Sequence, residues 1–201
     1  MKIQDEMMEN FDFSRFISGN EMLMENLNIE NCRISGIKSE FLRIVNCNFK
    51  NVVFETSFCE QYITVRNCEF KDCIFKDTFE GDDLELSIGD SAFSDCLFED
   101  VSYQSWQVQS DITNCRLTNC DFKNIHIEGD ICFVGLEMTG GKIEHFNFSG
   151  NQILQNNFSN IHMSDVNVNC ALIKNKMEKC DFKNVTSEGY NKDNTYIECV
   201  N

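Results

Sequence analysis

Cys68-Glu69-Phe70-Lys71-Asp72 is followed at once by Cys73-Ile74-Phe75-Lys76-Asp77, so ten residues state one five-residue phrase twice. The phrase returns as Cys47-Asn48-Phe49-Lys50-Asn51, Cys120-Asp121-Phe122-Lys123-Asn124 and Cys180-Asp181-Phe182-Lys183-Asn184. Each unit has two apolar positions two residues apart, and in extended backbone such positions share one face. A unit this short can bury that pair only by stacking on copies of itself.

Pairing the units exposes a longer period. Doublets begin at Leu27, Cys47, Cys68, Ser91, Cys115, Leu136, Asn156 and Asn175, with steps of 20, 21, 23, 24, 21, 20 and 19. A step near twenty means four five-residue sides per turn, each turn laid on the one before. Eight turns at the spacing of paired strands make a rod of roughly 38 Å.

In this register one inward column reads Ile29, Phe49, Phe70, Phe93, Leu117, Met138, Phe158, Met177. The next reads Ile34, Phe54, Phe75, Phe98, Phe122, Ile143, Met163, Phe182. Their smaller neighbours include Cys47, Cys68, Cys73, Cys96, Cys115, Cys120 and Cys180, which act as small core residues. A third side continues with Tyr103, Ile127, Phe148 and Val168, while the fourth is ragged, using Leu84/Leu86, Trp106/Val108 and Ala171/Ile173. Stacked in this way the core is expected to be solid, with few concavities.

Composition agrees with a laterally paired chain. There is no proline among 201 residues, where average usage of about 5% predicts roughly ten. Proline cannot donate to a ladder, so a chain whose N–H groups nearly all pair with neighbouring coils excludes it. Extra residues in the turns of 23 and 24 are expected to leave the coil at Glu80 to Asp90 and Gln107 to Thr113. The first of these carries Glu80, Asp82, Asp83, Glu85 and Asp90 without a basic residue and is the candidate partner-binding segment.

The 33 acidic against 17 basic residues leave a net charge of -16. That balance excludes direct binding to nucleic acid, whose phosphates attract Lys and Arg; a partner protein with a basic, DNA-binding type of surface suits it. No run of 18 apolar residues is present, and residues 1–26 are too acidic for a signal peptide, so no membrane role and a cytoplasmic location are expected. In that compartment the twelve cysteines are reduced and structural, and the three Asn-x-Ser/Thr sequons are by-products of the repeat.

No Cys-x-x-Cys occurs, and the register turns His126, His145 and His162 outward on different sides. No catalytic constellation, metal site or cofactor is therefore expected. The chain divides into residues 1–26, an irregular N-terminal cap with Phe11, Phe13 and Phe16; residues 27–187, the repeat body; and residues 188–201, a short polar tail.

The units quoted above resemble the pentapeptide-repeat family over about Leu27 to Ser187, with cysteine in the usual alanine place and Asn or Asp at the end of the unit. The resemblance implies an all-β, right-handed quadrilateral β-helix of about eight coils. Qnr-type members of that family protect type II topoisomerases by imitating the shape and charge of duplex DNA, and they dimerise through a C-terminal module. Here the C-terminal stretch is Tyr190-Asn191-Lys192-Asp193-Asn194-Thr195-Tyr196, without such a helix. The expected function is a non-enzymatic scaffold binding a protein partner through an acidic rod; the alternatives are a DNA-mimicking topoisomerase modulator or an immunity or resistance factor.

Overall fold

The computed structural model describes residues 2–4, 7–9, 21–35, 39–55, 59–76 and 84–200. Phe11, Phe13, Phe16, Asp77, Glu80, Asp82 and Asp83 lie outside them, as do the side chains of Trp106 and Val108. Every described element is a β-strand, and every strand pairing is parallel, as a coil stacked on its own copy requires.

The repeat register holds residue by residue. Phe49 pairs with Phe70 and Phe70 with Phe93; Phe93 pairs with Leu117, then Met138, Phe158 and Met177. The neighbouring column runs from Ile34 through Phe54, Phe75, Phe98 and Phe122 to Ile143, Met163 and Phe182. Tyr103, Ile127, Phe148 and Val168 form the third. The rings lie flat on one another, with centroids 4.9 Å apart for Phe49 and Phe70, 4.7 Å for Phe70 and Phe93, and 4.6 Å for Phe98 and Phe122. That distance is the strand spacing itself, so the backbone ladder sets the ring stack.

Asn or Asp at the end of each phrase acquires a geometric reason. Asn51 (φ 52°), Asp72 (φ 53°), Asn124 (φ 54°) and Asn184 (φ 53°) all occupy the left-handed region, and so do Asn26, Asn46 and Asn67 at another corner. These residues turn the chain from one side to the next, and Asn and Asp tolerate that conformation better than other side chains with a Cβ. Stacked corners also bond to one another: Asn46 Nδ2 donates to Asn26 Oδ1 at 3.2 Å and Asn51 Nδ2 to Asn31 Oδ1 at 2.8 Å.

The fourth side is more regular than the sequence suggests. Met24, Ile44, Val65, Ile88, Ile112, Phe133, Ile153 and Leu172 pair in one unbroken column. Leu84 and Leu86 are buried as expected, but Cys170 and Leu172, not Ala171 and Ile173, face inward at the far end. The difference is a one-residue slip, which exchanges the two faces of a strand. Glu85–Gly89 is a strand within this wall, so Glu85 and Asp90 belong to the coil and not to a protruding loop. Thr113 lies in the wall too, and the extra residues of that turn are absorbed by a register shift between Ser105 and Ser110. Buried Tyr103 closes this irregular corner, its hydroxyl donating to Leu84 O at 2.9 Å and meeting Ser110 Oγ.

Pairing continues beyond residues 27–187 at both ends. Glu21–Glu25 pairs with Ser39–Val45, and Thr195–Ile197 pairs with Lys176–Glu178.

The core is not solid. In the first column exposure climbs from Ile29 0%, Phe49 1% and Phe70 3% to Phe93 7% and Leu117 8%, returns to 4% at Met138, and leaves Phe158 and Met177 only partly buried. Phe98, Phe122, Ile143 and Phe182 of the second column and Val168 of the third are likewise partly buried. They border an axial cavity of about 630 Å³ that runs from Leu42 and Ile44 to Tyr196 and Cys199. Two sequence features open it: the long turns widen the perimeter, and Ile143, Met163, Val168 and Met177 replace phenylalanine downstream.

Candidate functional site

Outward positions of a solenoid are free to vary, and one band of this rod is uniform in charge. Between Lys76 and Arg116 stand Asp77, Glu80, Asp82, Asp83, Glu85, Asp90, Asp95, Glu99, Asp100 and Asp111, with no Lys or Arg among them. Of the five candidate contact residues, Glu85 is half-buried in the wall and Asp90 is exposed at a corner; Glu80, Asp82 and Asp83 lie outside the described residues.

The corners place what the sequence separated. Asp90 (φ 51°), Asp95 (φ 54°) and Asp100 (φ 55°) occupy three successive corners of one coil, all exposed. Each accepts from the asparagine beneath it: Asn114 Nδ2 at 3.3 Å, Asn119 Nδ2 at 3.2 Å and Asn124 Nδ2 at 2.9 Å. A neutral amide holds the carboxylate in place without cancelling its charge. Glu99 and Asp111 differ, because cations from other coils reach them, Lys123 Nζ at 2.8 Å from Glu99 and Arg66 Nη2 at 3.7 Å from Asp111. The open charge is therefore a girdle on three corners, not a stripe on one side. The five-residue spacing of Asp90, Asp95 and Asp100 was the available signal, legible once position five of the unit is known to be the corner.

The thiols are inside. Cys47, Cys68, Cys73, Cys96, Cys115, Cys120 and Cys180 are all buried and free. Cys120 Sγ donates to Phe93 O at 3.5 Å, and Cys115 Sγ to Thr113 O at 3.3 Å. Burial pushes the Cys115 thiol up to about 11 and the Cys170 thiol up to about 12. The hydrogen bond that Cys68 shares with the Cys47 thiol, with burial behind it, raises Cys68 further. Cys115 and Cys170, held neutral at such pKa values, are poor nucleophiles and poor metal ligands, whereas the hydrogen bonds from the Cys68 and Cys96 thiols shift Cys47 and Cys73 downward.

Raised thiol pKa values make the fold sensitive to high pH. The unfolded chain ionises its thiols near about 8.5, so between there and pH 11 to 12 the native state holds more protons than the unfolded one. The stabilisation is complete below the unfolded value and is lost as pH rises through the native values. Between pH 8 and pH 10 the melting temperature should fall by about 5 °C or more. Cys115→Ala with Cys170→Ala should flatten the slope; an unchanged slope would show that these thiols are not the source.

The histidines point outward, as the register requires. His162 Nδ1 lies 2.9 Å from Asp181 Oδ2, His145 Nδ1 3.7 Å from Asp165 Oδ2 and His126 Nε2 3.6 Å from Glu128 Oε2. His162 lies on the second side, His126 on the third and His145 at the corner between them, each beside its own carboxylate. Among the described residues no group of three His, Cys, Asp or Glu could hold a metal ion, and no helix is long and apolar enough to cross a membrane.

No family model matches the sequence, and no curated protein matches it. Among solved structures the chain is similar to full-length QnrB1, described as a plasmid-mediated fluoroquinolone resistance protein, at 12% identity over 94% of each chain with a TM-score of 0.27. It is also similar to tailspike protein 3 of bacteriophage CBA120, at 11% identity over 98% of this chain and 56% of that one, with a TM-score of 0.24. Superpositions this loose leave the architecture resting on the chain's own registers. Five residues to a side, Asn or Asp at most of the described corners and parallel stacking of the coils make the chain a parallel β-solenoid built on a five-residue repeat.

Proposed function

We propose that the protein is a non-enzymatic scaffold whose girdle binds a basic surface of a partner protein. The observation that carries this reading is the set of three corner carboxylates, Asp90, Asp95 and Asp100, each held by a neutral amide. Fixed, solvated charges of one sign steer an oppositely charged partner and set its orientation. Because the three face different ways, the fitting partner is one that wraps the rod at this coil, such as a cleft or a pair of basic loops.

The test compares the protein with Asp90→Asn, Asp95→Asn, Asp100→Asn combined. Asn on Asn is already a corner pair in this molecule, as Asn67 Nδ2 on Asn46 Oδ1 at 3.3 Å shows, so the triple variant should melt within about 3 °C of the parent. Co-purification from native lysate should recover a defined basic partner with the parent, released by salt, and at least about tenfold less with the variant. Equal recovery by both would remove the girdle from the reading.

The topoisomerase alternative that the repeat's resemblance implies makes a different demand. A DNA mimic must offer charge along a continuous face, whereas these corners encircle one coil. Inhibition of gyrase supercoiling by the purified protein, lost in the triple variant, would favour it over the scaffold reading.

A further inference from the structure

We propose that the axial cavity is a binding site for one long unbranched alkyl chain, of the kind a fatty acid carries, with its polar head at the end lined by Thr186, Ser187 and Tyr196. Its walls are apolar from Leu42 onward apart from Cys115 and Tyr103, whose hydroxyl is taken by Leu84 O, and hydroxyls gather only at the far end, where Thr186, Ser187 and Tyr196 stand.

The dimensions select the occupant. From the coil of Leu42 to that of Tyr196 are about seven steps of roughly 4.8 Å, or about 34 Å. A volume of about 630 Å³ over that length leaves a mean section of roughly 19 Å². Carbon atoms in contact sit about 3.5 to 4.0 Å apart, so a single file of methylene groups has a section of roughly 15 Å². So long and narrow a space suits an extended chain better than a compact ring system. An acyl chain spans about half of a bilayer core of about 30 Å, so one enters whole and fills roughly half of the bore.

The ends select the direction. Met22, Met24, Leu27 and Ile29 are at most 1% exposed and close the N-terminal end. At the other end the hydroxyls of Thr186, Ser187 and Tyr196 stand beside Val185 in the lining and can meet a polar head. The methyl end lies toward Leu42 and the polar head toward these hydroxyls. Water itself is a poor occupant, since an apolar cavity offers it no partners and stays dry.

Sodium hexadecanoate is the probe, with titration calorimetry and thermal melting as readouts on the full chain. The parent should bind one equivalent and melt higher with the ligand present. Affinity should rise steadily from octanoate through dodecanoate to hexadecanoate, and cholate, whose fused rings suit the bore less well, should bind at least about tenfold more weakly. Ile143→Phe with Val168→Phe should extend the ring stacks of Phe122 and Phe148 into the bore, lower hexadecanoate affinity at least tenfold and leave melting unchanged or raised. No binding by the parent, a flat chain-length series, cholate binding equally well, or a folded double variant that binds as the parent does would each overturn the proposal. If the double variant fails to fold, the chain-length series and the cholate comparison on the parent decide.

Discussion

Phe70→Asp should leave the protein unfolded at room temperature. Phe70 is 3% exposed, stacked between Phe49 and Phe93 at 4.9 and 4.7 Å, and met edge-on by Phe75 at 5.5 Å and Phe54 at 5.9 Å. Deleting a buried ring of this size costs about 3 to 5 kcal/mol, and a carboxylate placed in the gap has no cation within the column, which adds several more. The sum is comparable to the usual stability of about 5 to 15 kcal/mol. In a solenoid each coil is the template for the next, so the loss spreads to neighbouring coils. The exposed neighbour Lys71→Ala should change stability by no more than about 0.5 kcal/mol. Circular dichroism and melting of the two variants check the contrast, and a folded Phe70→Asp with parental melting would show the inward register to be wrong.

Asn175→Leu should lower the melting temperature by about 10 °C. Asn175 is 1% exposed and belongs to a buried amide ladder with Asn156 and Asn194. Its Nδ2 donates to Ile153 O at 2.8 Å and Asn194 Oδ1 at 3.1 Å, while its Oδ1 accepts from Asn156 N at 3.0 Å and Asn156 Nδ2 at 3.2 Å. Leucine fits the site by shape, because Leu27 and Leu136 occupy the same column. The cost is therefore polar. Unpartnered buried groups cost about 1 to 3 kcal/mol each, and about 3 to 4 kcal/mol in all corresponds to roughly 10 °C in a chain of this size. Calorimetry on the purified variant measures it, and a shift under 2 °C would mean that the ladder's donors find other acceptors.

Both results test something legible in the amino-acid sequence, the two inward positions of the five-residue unit. The Cys-x-Phe spacing alone located Phe49, Phe70, Phe75 and Phe122, because an apolar pair two apart has one way to face in extended backbone. Where the pair is weak, the sequence leaves the face open. At Ala171-Leu172-Ile173 three successive apolar residues satisfy either face, and only pairing with Gln152, Ile153 and Leu154 selects Leu172. The buried role of Asn156 and Asn175 was readable as a place in the column, but not as a ladder, since an amide is inward only when the coil above returns its hydrogen bonds.

The repeat by itself determined an all-β stack of coils, its inward columns and its reduced, structural thiols, because each follows from a local choice made again every five residues. The tertiary structure alone decided two things. Perimeter and side-chain volume must agree around a whole turn, and from the Phe-rich coils onward they do not, which opens the axial bore. Carboxylates five apart along the chain become three corners of one coil, which makes a girdle of what reads in sequence as scattered acids.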